Sequence, residues 1–361
     1  MLALKEAGFD VHAVSMEDRS TAKIKEAGFK FHTLKIQGKG ANPLADLSLL
    51  SQYKAIFKKE KPELVLNFTI KPVIYSSMAA KQLDIPVVNN IAGLGTLFNQ
   101  STWVTKIAVQ LYKYSQKNIE HIFFQNQDDI KLFQDLKILK NQSYSRLPGS
   151  GVDTKRFQPL HRDSILPLNG NRSDVGKKDV NFLLFGRMLW DKGIGEYVAS
   201  ARALKKENPN ANFWVLGLLD FENPTAIKSE DMQLWIEEGI IDYLGKTDRV
   251  EDYIHQADCI VYPSYYREGV PRSLLESAAM GKPIITTENV GCKEVVIDGE
   301  NGYKVAPKDA EALTYAMQQF INLPVEARNN MGLESRKLAE NTFDEKFVIE
   351  AYFNKINEIL G

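Results

Sequence analysis

Cysteine is nearly absent. The 361 residues hold only Cys259 and Cys292, so disulfides do not staple the chain, and the count fits a reducing compartment. No window reaches the roughly 18–20 uninterrupted apolar residues that a membrane span needs. The opening residues 1–8 have no charged segment followed by an apolar core and a cleavage site, as a secretory signal would. These absences set the expectation of a cytoplasmic protein. Net charge is missing too: 45 Lys+Arg against 46 Asp+Glu leave −1. That excludes a partner bound by bulk positive charge, nucleic acid included. The balance is a cancellation, since residues 1–180 carry +9 and residues 181–361 carry −10. No Gly-x-Gly-x-x-Gly follows a candidate strand, which disfavours a dehydrogenase. There is no Asp-x-Asp, no His-x-x-x-His and no cysteine pair at ligand spacing. The five histidines, His12, His32, His121, His161 and His255, show no metal-binding interval, so no metal is expected. No period of 20–50 residues repeats, which excludes a solenoid.

What is present is α/β patterning. Apolar, β-branched runs predict strands at 10–14, 30–34, 64–68, 87–90 and 121–125, then at 180–185, 213–216, 241–244, 259–262, 283–287 and 302–305. Helical stretches alternate with them, for example 74–82, 194–208, 249–256, 271–280 and 343–360, as in parallel doubly wound sheets. The stretch 158–179, with Pro159, Pro167, Gly170 and Gly176, reads as a linker between two domains, 1–157 and 180–343. The start is unusual. Residues 2–7 read as the end of a helix with Gly8 as its C′ residue. A doubly wound domain ordinarily opens with a central strand that feeds such a helix. That strand is missing, so the natural protein is expected to begin upstream.

Two segments carry candidate chemistry. In Tyr265-Tyr266-Arg267-Glu268-Gly269-Val270-Pro271-Arg272-Ser273-Leu274-Leu275-Glu276, a strand gives way to a helix. Pro271 suits the first helical turn. The backbone amides of Gly269 and Val270 then lie at the positive helix end, where a diphosphate can approach. Glu268 and Glu276 can each meet hydroxyls along one extended ligand. In Phe185-Gly186-Arg187-Met188-Leu189-Trp190-Asp191-Lys192-Gly193, Arg187 ends a strand and Lys192 begins a helix. Both cations can thus reach the carboxyl edge of a sheet and neutralise a leaving diphosphate.

The combined pattern, Gly-Arg-x4-Lys-Gly followed by Glu-Gly-x-Pro-x4-Glu and Gly281-Lys282-Pro283, resembles the retaining two-domain glycosyltransferases of family 4 (group 1). Leu216-Gly217, Tyr243-Leu244-Gly245, Gly291 and Asp298-Gly299-x2-Gly302 add to the likeness. The resemblance implies a GT-B fold, two Rossmann-like domains facing across a cleft, with 344–361 crossing back to the first domain. It assigns Arg187 and Lys192 to the donor diphosphate, Glu268 to the donor sugar and Glu276 to the ribose. Gly269 and Val270 would hold phosphate oxygens, Gly186 and Gly217 would adjoin the nucleotide sugar, and Gly245 to Val250 would face the base. The family retains anomeric configuration, and the resemblance implies a nucleotide-sugar donor, here expected to be a UDP-linked hexose or N-acetylhexosamine, with no cofactor.

In the first half, Phe68-Thr69-Ile70-Lys71-Pro72, Asn90-Ile91-Ala92-Gly93-Leu94-Gly95 and Phe124-Gln125-Asn126 look like the bacterial subgroup that extends polyprenyl-diphosphate-linked sugars in capsule, O-antigen or glycan assembly. Lys71, Gly93, Gly95 and Ser150 are the acceptor-side candidates. Many family members carry a His near Ala92, and this chain does not. Residues 102–120 suggest a membrane face: Trp103, Val104, Ile107, Ala108, Leu111 and Tyr114 share a broad apolar side, with Lys106, Lys113 and Lys117 as a cationic stripe. Lys54, Lys58, Lys59 and Lys61 add to the basic surface, so a peripheral position on the inner face of the cytoplasmic membrane is expected. Two other functions stay open, a catalytically weak nucleotide-sugar-binding scaffold subunit and a GT-B nucleotide-sugar epimerase.

Overall fold

A computed structural model describes residues 1–18, 20–35, 43–98, 102–159, 180–219 and 223–361, without the side chains of 43–47, 96 and 97. The chain divides into two compact units. One comprises Met1–Leu147 with Val348–Gly361, the other Pro148–Phe347.

In the second unit β7 (Val180–Phe185), β8 (Ala211–Leu216), β9 (Asp242–Tyr243), β10 (Cys259–Tyr262), β11 (Ile284–Thr287) and β12 (Gly302–Val305) make one sheet. Its order is β12-β11-β10-β7-β8-β9, and every pairing is parallel. This is the doubly wound arrangement, and its order reverses between β7 and β10. Strands buried on both faces read as continuous apolar runs, here Val-Asn-Phe-Leu-Leu-Phe and Cys-Ile-Val-Tyr. One core packs Phe182, Leu184, Tyr197 and Phe213 on one side of the sheet; another packs Leu183, Ile260, Leu274 and Ile284 on the other.

The first unit holds β1 (His12–Ser15), β2 (Lys30–Thr33), β3 (Val65–Phe68), β4 (Val87–Ile91), β5 (His121–Phe124) and β6 (Ser143–Arg146). They pair in parallel as two separate pieces, β1-β2 and β3-β4-β5-β6. The chain opens with the helix Leu2–Glu6, closed by Gly8 at φ +91° with Gly8 N donating to Lys5 O and Phe9 N to Leu4 O. That is the expected C′ glycine stop. The helix predicted at 74–82 instead begins as a π-turn, Pro72–Ser76, and continues as Ser77–Lys81. The wider turn leaves the Val73 carbonyl for a side chain: Gln116 Nε2 donates to it at 3.0 Å.

The sequence pattern did not predict β6. All four of its residues are exposed, so it lacks the apolar signal. Its hydroxyls Ser143 and Ser145 hydrogen-bond the two ring nitrogens of His121, each at 2.8 Å. Burial pushes the His121 pKa down to about 4, so the ring is neutral and offers one donor and one acceptor.

The division between units differs from the expected one at 157. Residues from Pro148 to Phe157 belong with the second unit because that unit holds their backbone. Val152 N donates to Phe343 O at 2.9 Å and Glu345 N to Val152 O at 3.0 Å. The Arg336 guanidinium donates to the carbonyls of Thr154, Phe157 and Ala279 and to Glu340. Arg336→Met should therefore lower the unfolding free energy of this unit by about 2–4 kcal/mol, since buried carbonyls lose their donors; urea denaturation checks it. The expected linker falls largely at 160–179, and His161 with it, outside the described residues. From Val348 onward the helix Glu345–Leu360 packs on the first unit, with Val348 beside Val88, Phe123 and Leu147, and Tyr352 Oη accepting from Asn90 Nδ2.

Candidate active site

The strand order reverses between β7 and β10, and the carboxyl ends of strands at such a reversal are where doubly wound sheets bind ligands. The chain after β7 supplies Gly186, Arg187 and, in the short 3-10 turn Trp190–Lys192, Asp191 and Lys192. The chain after β10 supplies Ser264, Tyr265, Tyr266 and Glu268 before the helix Arg272–Ala279. The fold thus brings together residues some 75 positions apart.

Lys192 is buried, 5% exposed. Its ammonium forms an ion pair with Glu268 and donates to Tyr262 Oη at 2.9 Å. Tyr262 Oη in turn donates to Glu268 Oε1 at 2.8 Å, and Ser264 Oγ is 3.3 Å from the same oxygen. Burial, reinforced by the Glu268 charge, raises the Tyr262 pKa well above the usual phenol value, so this tyrosine is a fixed O–H donor. The ammonium also lies 5.0 Å from the Tyr266 ring centroid. Tyr265 N and Tyr266 N both donate to Asp191 O at 3.0 Å, which ties the two loops together. Asp191 Oδ1 is buried with no hydrogen-bond partner. Arg187 is exposed, and its charge acts on both Tyr262 and Tyr266.

Gly186, Gly217 and Gly245 follow β7, β8 and β9 in a row at the same sheet edge. Gly186 N donates to Leu216 O at 3.0 Å and Gly217 N to Gly245 O at 2.7 Å. Two other glycines hold the loops close. A Cβ on Gly193 (φ +79°) would stand 2.2 Å from Pro263 O, and one on Gly291 (φ +79°) would stand 1.6 Å from Gly269 O. Gly269 and Val270 precede the helix Arg272–Ala279, with Pro271 as its N-cap, one position earlier than expected. Glu276 lies within that helix, its side chain 14% exposed and paired with Arg272 at 3.3 Å. Burial, against the pull of Arg272, raises its pKa. It is not the solvated helix carboxylate that an isolated Glu would suggest. Val250 begins the helix Val250–Gln256, and its side chain packs on the core with Leu244.

The remaining candidates lie apart. Lys71 follows β3 at the N-cap of the π-turn, and Gly93 (φ +99°) and Gly95 (φ +62°) follow β4, all in the first unit. Ser150 is exposed in the second. Sequence reasoning missed Tyr262, Ser264 and Asp191 as partners of the cluster. The one available signal was a tyrosine closing an otherwise aliphatic buried strand.

A profile described as Glycosyl transferases group 1 matches residues 170–338, and one described as Glycosyl transferase 4-like matches residues 1–126. The chain is a glycosyltransferase, matched to group 1 over its second domain. This glycosyltransferase is 26% identical, over 99% of its length and 93% of the relative's, to an N,N'-diacetylbacillosaminyl-diphospho-undecaprenol alpha-1,3-N-acetylgalactosaminyltransferase of Campylobacter jejuni. It is 24% identical, over 99% and 92%, to the capsular polysaccharide biosynthesis glycosyltransferase CapM of Staphylococcus aureus. Among solved structures, a glycosyltransferase from Rickettsia africae superposes with a TM-score of 0.78 at 20% identity, covering 99% of this chain and 92% of that one. Anabaena Alr3699/HepE, in complex with UDP and glucose, gives 0.79 at 16% identity, covering 99% and 94%. The glycosyltransferase has the GT-B fold, each unit being a Rossmann-like domain.

Proposed function

We propose that this glycosyltransferase moves a hexose or N-acetylhexosamine from a UDP-sugar to a polyprenyl-diphosphate-linked glycan, with retention of configuration. The buried Lys192–Tyr262–Glu268 cluster at the switch point carries the reading. An ammonium has three donors, of which Tyr262 and Glu268 take two. The third is left for a phosphate oxygen of the donor, with Arg187 beside it as a mobile bidentate partner. As the bond to the sugar breaks, negative charge grows on the departing diphosphate, and these two cations stabilise it without a metal. Glu268, oriented by Lys192, Tyr262 and Ser264, meets the sugar hydroxyls, and Glu276 meets the ribose. Gly269 and Val270 face the phosphates, and the row Gly186, Gly217 and Gly245 lets the nucleotide lie close to backbone. The acceptor is taken by the first domain, where Lys71, Gly93 and Gly95 follow the strand ends. That the Campylobacter relative's own name specifies a diphospho-undecaprenol acceptor, and that the Anabaena structure holds UDP and glucose, support this choice.

The membrane reading rests on the helix Trp103–Ser115. Its inner stripe is Ala108, Val109, Tyr112 and Ser115, so Ala108 serves the core and not the outer face that its spacing predicted. Trp103, Ile107 and Tyr114 remain 71%, 51% and 56% exposed beside Lys106, Lys113 and Lys117. Apolar and basic residues together on an outer surface suit anionic lipid. Among the described residues no helix is long and apolar enough to cross a membrane. The protein would then work at the cytoplasmic face as a peripheral enzyme.

The test is a panel of UDP-sugars with an undecaprenyl-diphosphate-linked acceptor in vesicles containing anionic lipid. One donor should give acceptor-dependent UDP release, insensitive to chelator, and a product whose anomeric proton shows the donor's configuration. UDP binding without turnover on any donor would favour the scaffold reading. In flotation, Trp103→Glu/Ile107→Glu should reduce vesicle binding at least tenfold; unchanged binding, or binding indifferent to salt and anionic lipid, removes the membrane reading.

A further inference from the structure

We propose that His12, His32 and Glu60 form a divalent-cation site, suited to zinc, in the first domain. The sequence places these residues at intervals that match no metal motif, and the topology collects them. Parallel pairing aligns His12 with Lys30 and Val14 with His32, so the two histidines share one face of β1-β2. Glu60 ends the helix Pro43–Glu60, which delivers its carboxylate to that face.

The geometry is that of ligands around a small ion. His32 Nε2 is 3.2 Å from His12 Nδ1, Glu60 Oε2 is 3.8 Å from His12 Nδ1, and the three ligand atoms all lie within 4.8 Å of one another. Tetrahedral zinc with bonds of about 2.0–2.1 Å separates its ligands by about 3.3 Å. The His–His separation already meets this, and a small side-chain rotation of Glu60 completes it. Asp10 Oδ2 lies 3.2 Å from His12 Nε2. It accepts the Nε2–H and so turns the Nδ1 lone pair toward the cluster, the carboxylate–histidine support that metal ligands ordinarily have. The Glu60 side chain is only 10% exposed, and its Oε1 is buried with no hydrogen-bond partner.

Two lysines supply positive charge beside Glu60. The Lys30 ammonium pairs with Glu60 Oε2, and Lys59 lies 3.8 Å from Oε1; both side chains are well exposed. They can swing into solvent when a divalent cation displaces them, leaving Asp10 and Glu60 to balance its charge. Bound metal would tie β1, β2 and the end of the helix Pro43–Glu60 together, a structural role separate from sugar transfer.

Tag-free, chelator-stripped full-length protein titrated with Zn2+ by calorimetry should bind one equivalent with micromolar or tighter affinity, and its melting temperature should rise. His32→Gln and His12→Gln should weaken binding at least tenfold and abolish that rise. Lys30→Met, a change at an exposed side chain, should tighten binding several-fold because it removes the competing ammonium. Co2+ in place of Zn2+ should give the visible absorption of a four-coordinate site. The absence of stoichiometric binding at micromolar Zn2+ would overturn the proposal. So would affinity unchanged in His32→Gln, or no tightening in Lys30→Met should the histidine variants fail to fold.

Discussion

Lys192→Met should lower kcat/KM about 10²–10³-fold, the range seen when one preorganised donor to a developing anion is removed. The substitution also takes from Glu268, in a largely covered site, its Lys192 ion-pair partner, and breaking such a pair costs about 3–5 kcal/mol. Turnover could then fall simply because the loop collapses. The double variant Lys192→Met/Glu268→Gln separates the two effects. It removes the carboxylate charge that lost Lys192 and should recover most of the lost stability, yet stay as slow as the single variant. Steady-state kinetics and thermal melts on all three proteins read this out. Turnover within tenfold of the parent in the single variant would remove Lys192 from the donor-diphosphate role. Recovery of turnover in the double variant would show that its part is only to offset the charge of Glu268.

Gly291→Ala should damage the proposed donor site without touching the donor. Any Cβ there meets the Gly269 carbonyl oxygen at 1.6 Å and lies 3.0 Å from that of Glu268. Neither neighbour is a flexible side chain, so the loop carrying Glu268 and Gly269 must move. The positive φ adds about 1–2 kcal/mol of backbone strain, and the total destabilisation should be about 2–4 kcal/mol, or a fall in Tm of about 4–16 °C. The KM for donor should rise at least tenfold. Gly299 makes the comparison clean: it has the same φ of +79°, and a Cβ there would find nothing within 4 Å. Gly299→Ala should therefore show the strain alone, with donor KM unchanged. Equal effects of the two variants would mean that Gly291 does not support the loop.

These two predictions rest on parts of the molecule that were unequally legible in the sequence. The second domain's strands announce themselves because both faces are buried: Val180–Phe185, Cys259–Tyr262 and Gly302–Val305 match the predicted bounds. Arg187, Lys192, Glu268 and Glu276 could be picked out one by one from charge and helix-end chemistry. Their mutual arrangement could not. Local patterning shows where each loop lies on its own strand, but the Lys192–Glu268 pair exists only because β7 and β10 are neighbours, a fact of sheet order. The same limit hid His12, His32 and Glu60. It also misplaced the domain division, since the bonds from Arg336 and Phe343 that claim Pro148–Phe157 come from nearly two hundred residues away. The outward face of the helix Trp103–Ser115 was misread in part for a related reason. An amphipathic period gives the direction of one stripe, and here apolar residues occupy two.

The strand β6 has a further consequence for how the protein behaves when concentrated. Among the described residues it closes one end of the four-stranded sheet, and the outer rim of an end strand ordinarily invites another chain to add on. Its side chains are Ser143, Tyr144, Ser145 and Arg146, all exposed, with the two serines anchored to a neutral His121. A hydroxyl-lined rim ending in a guanidinium is a poor template for self-association. The polarity that hid this strand from hydrophobic patterning is thus also what guards the sheet against fibrous assembly.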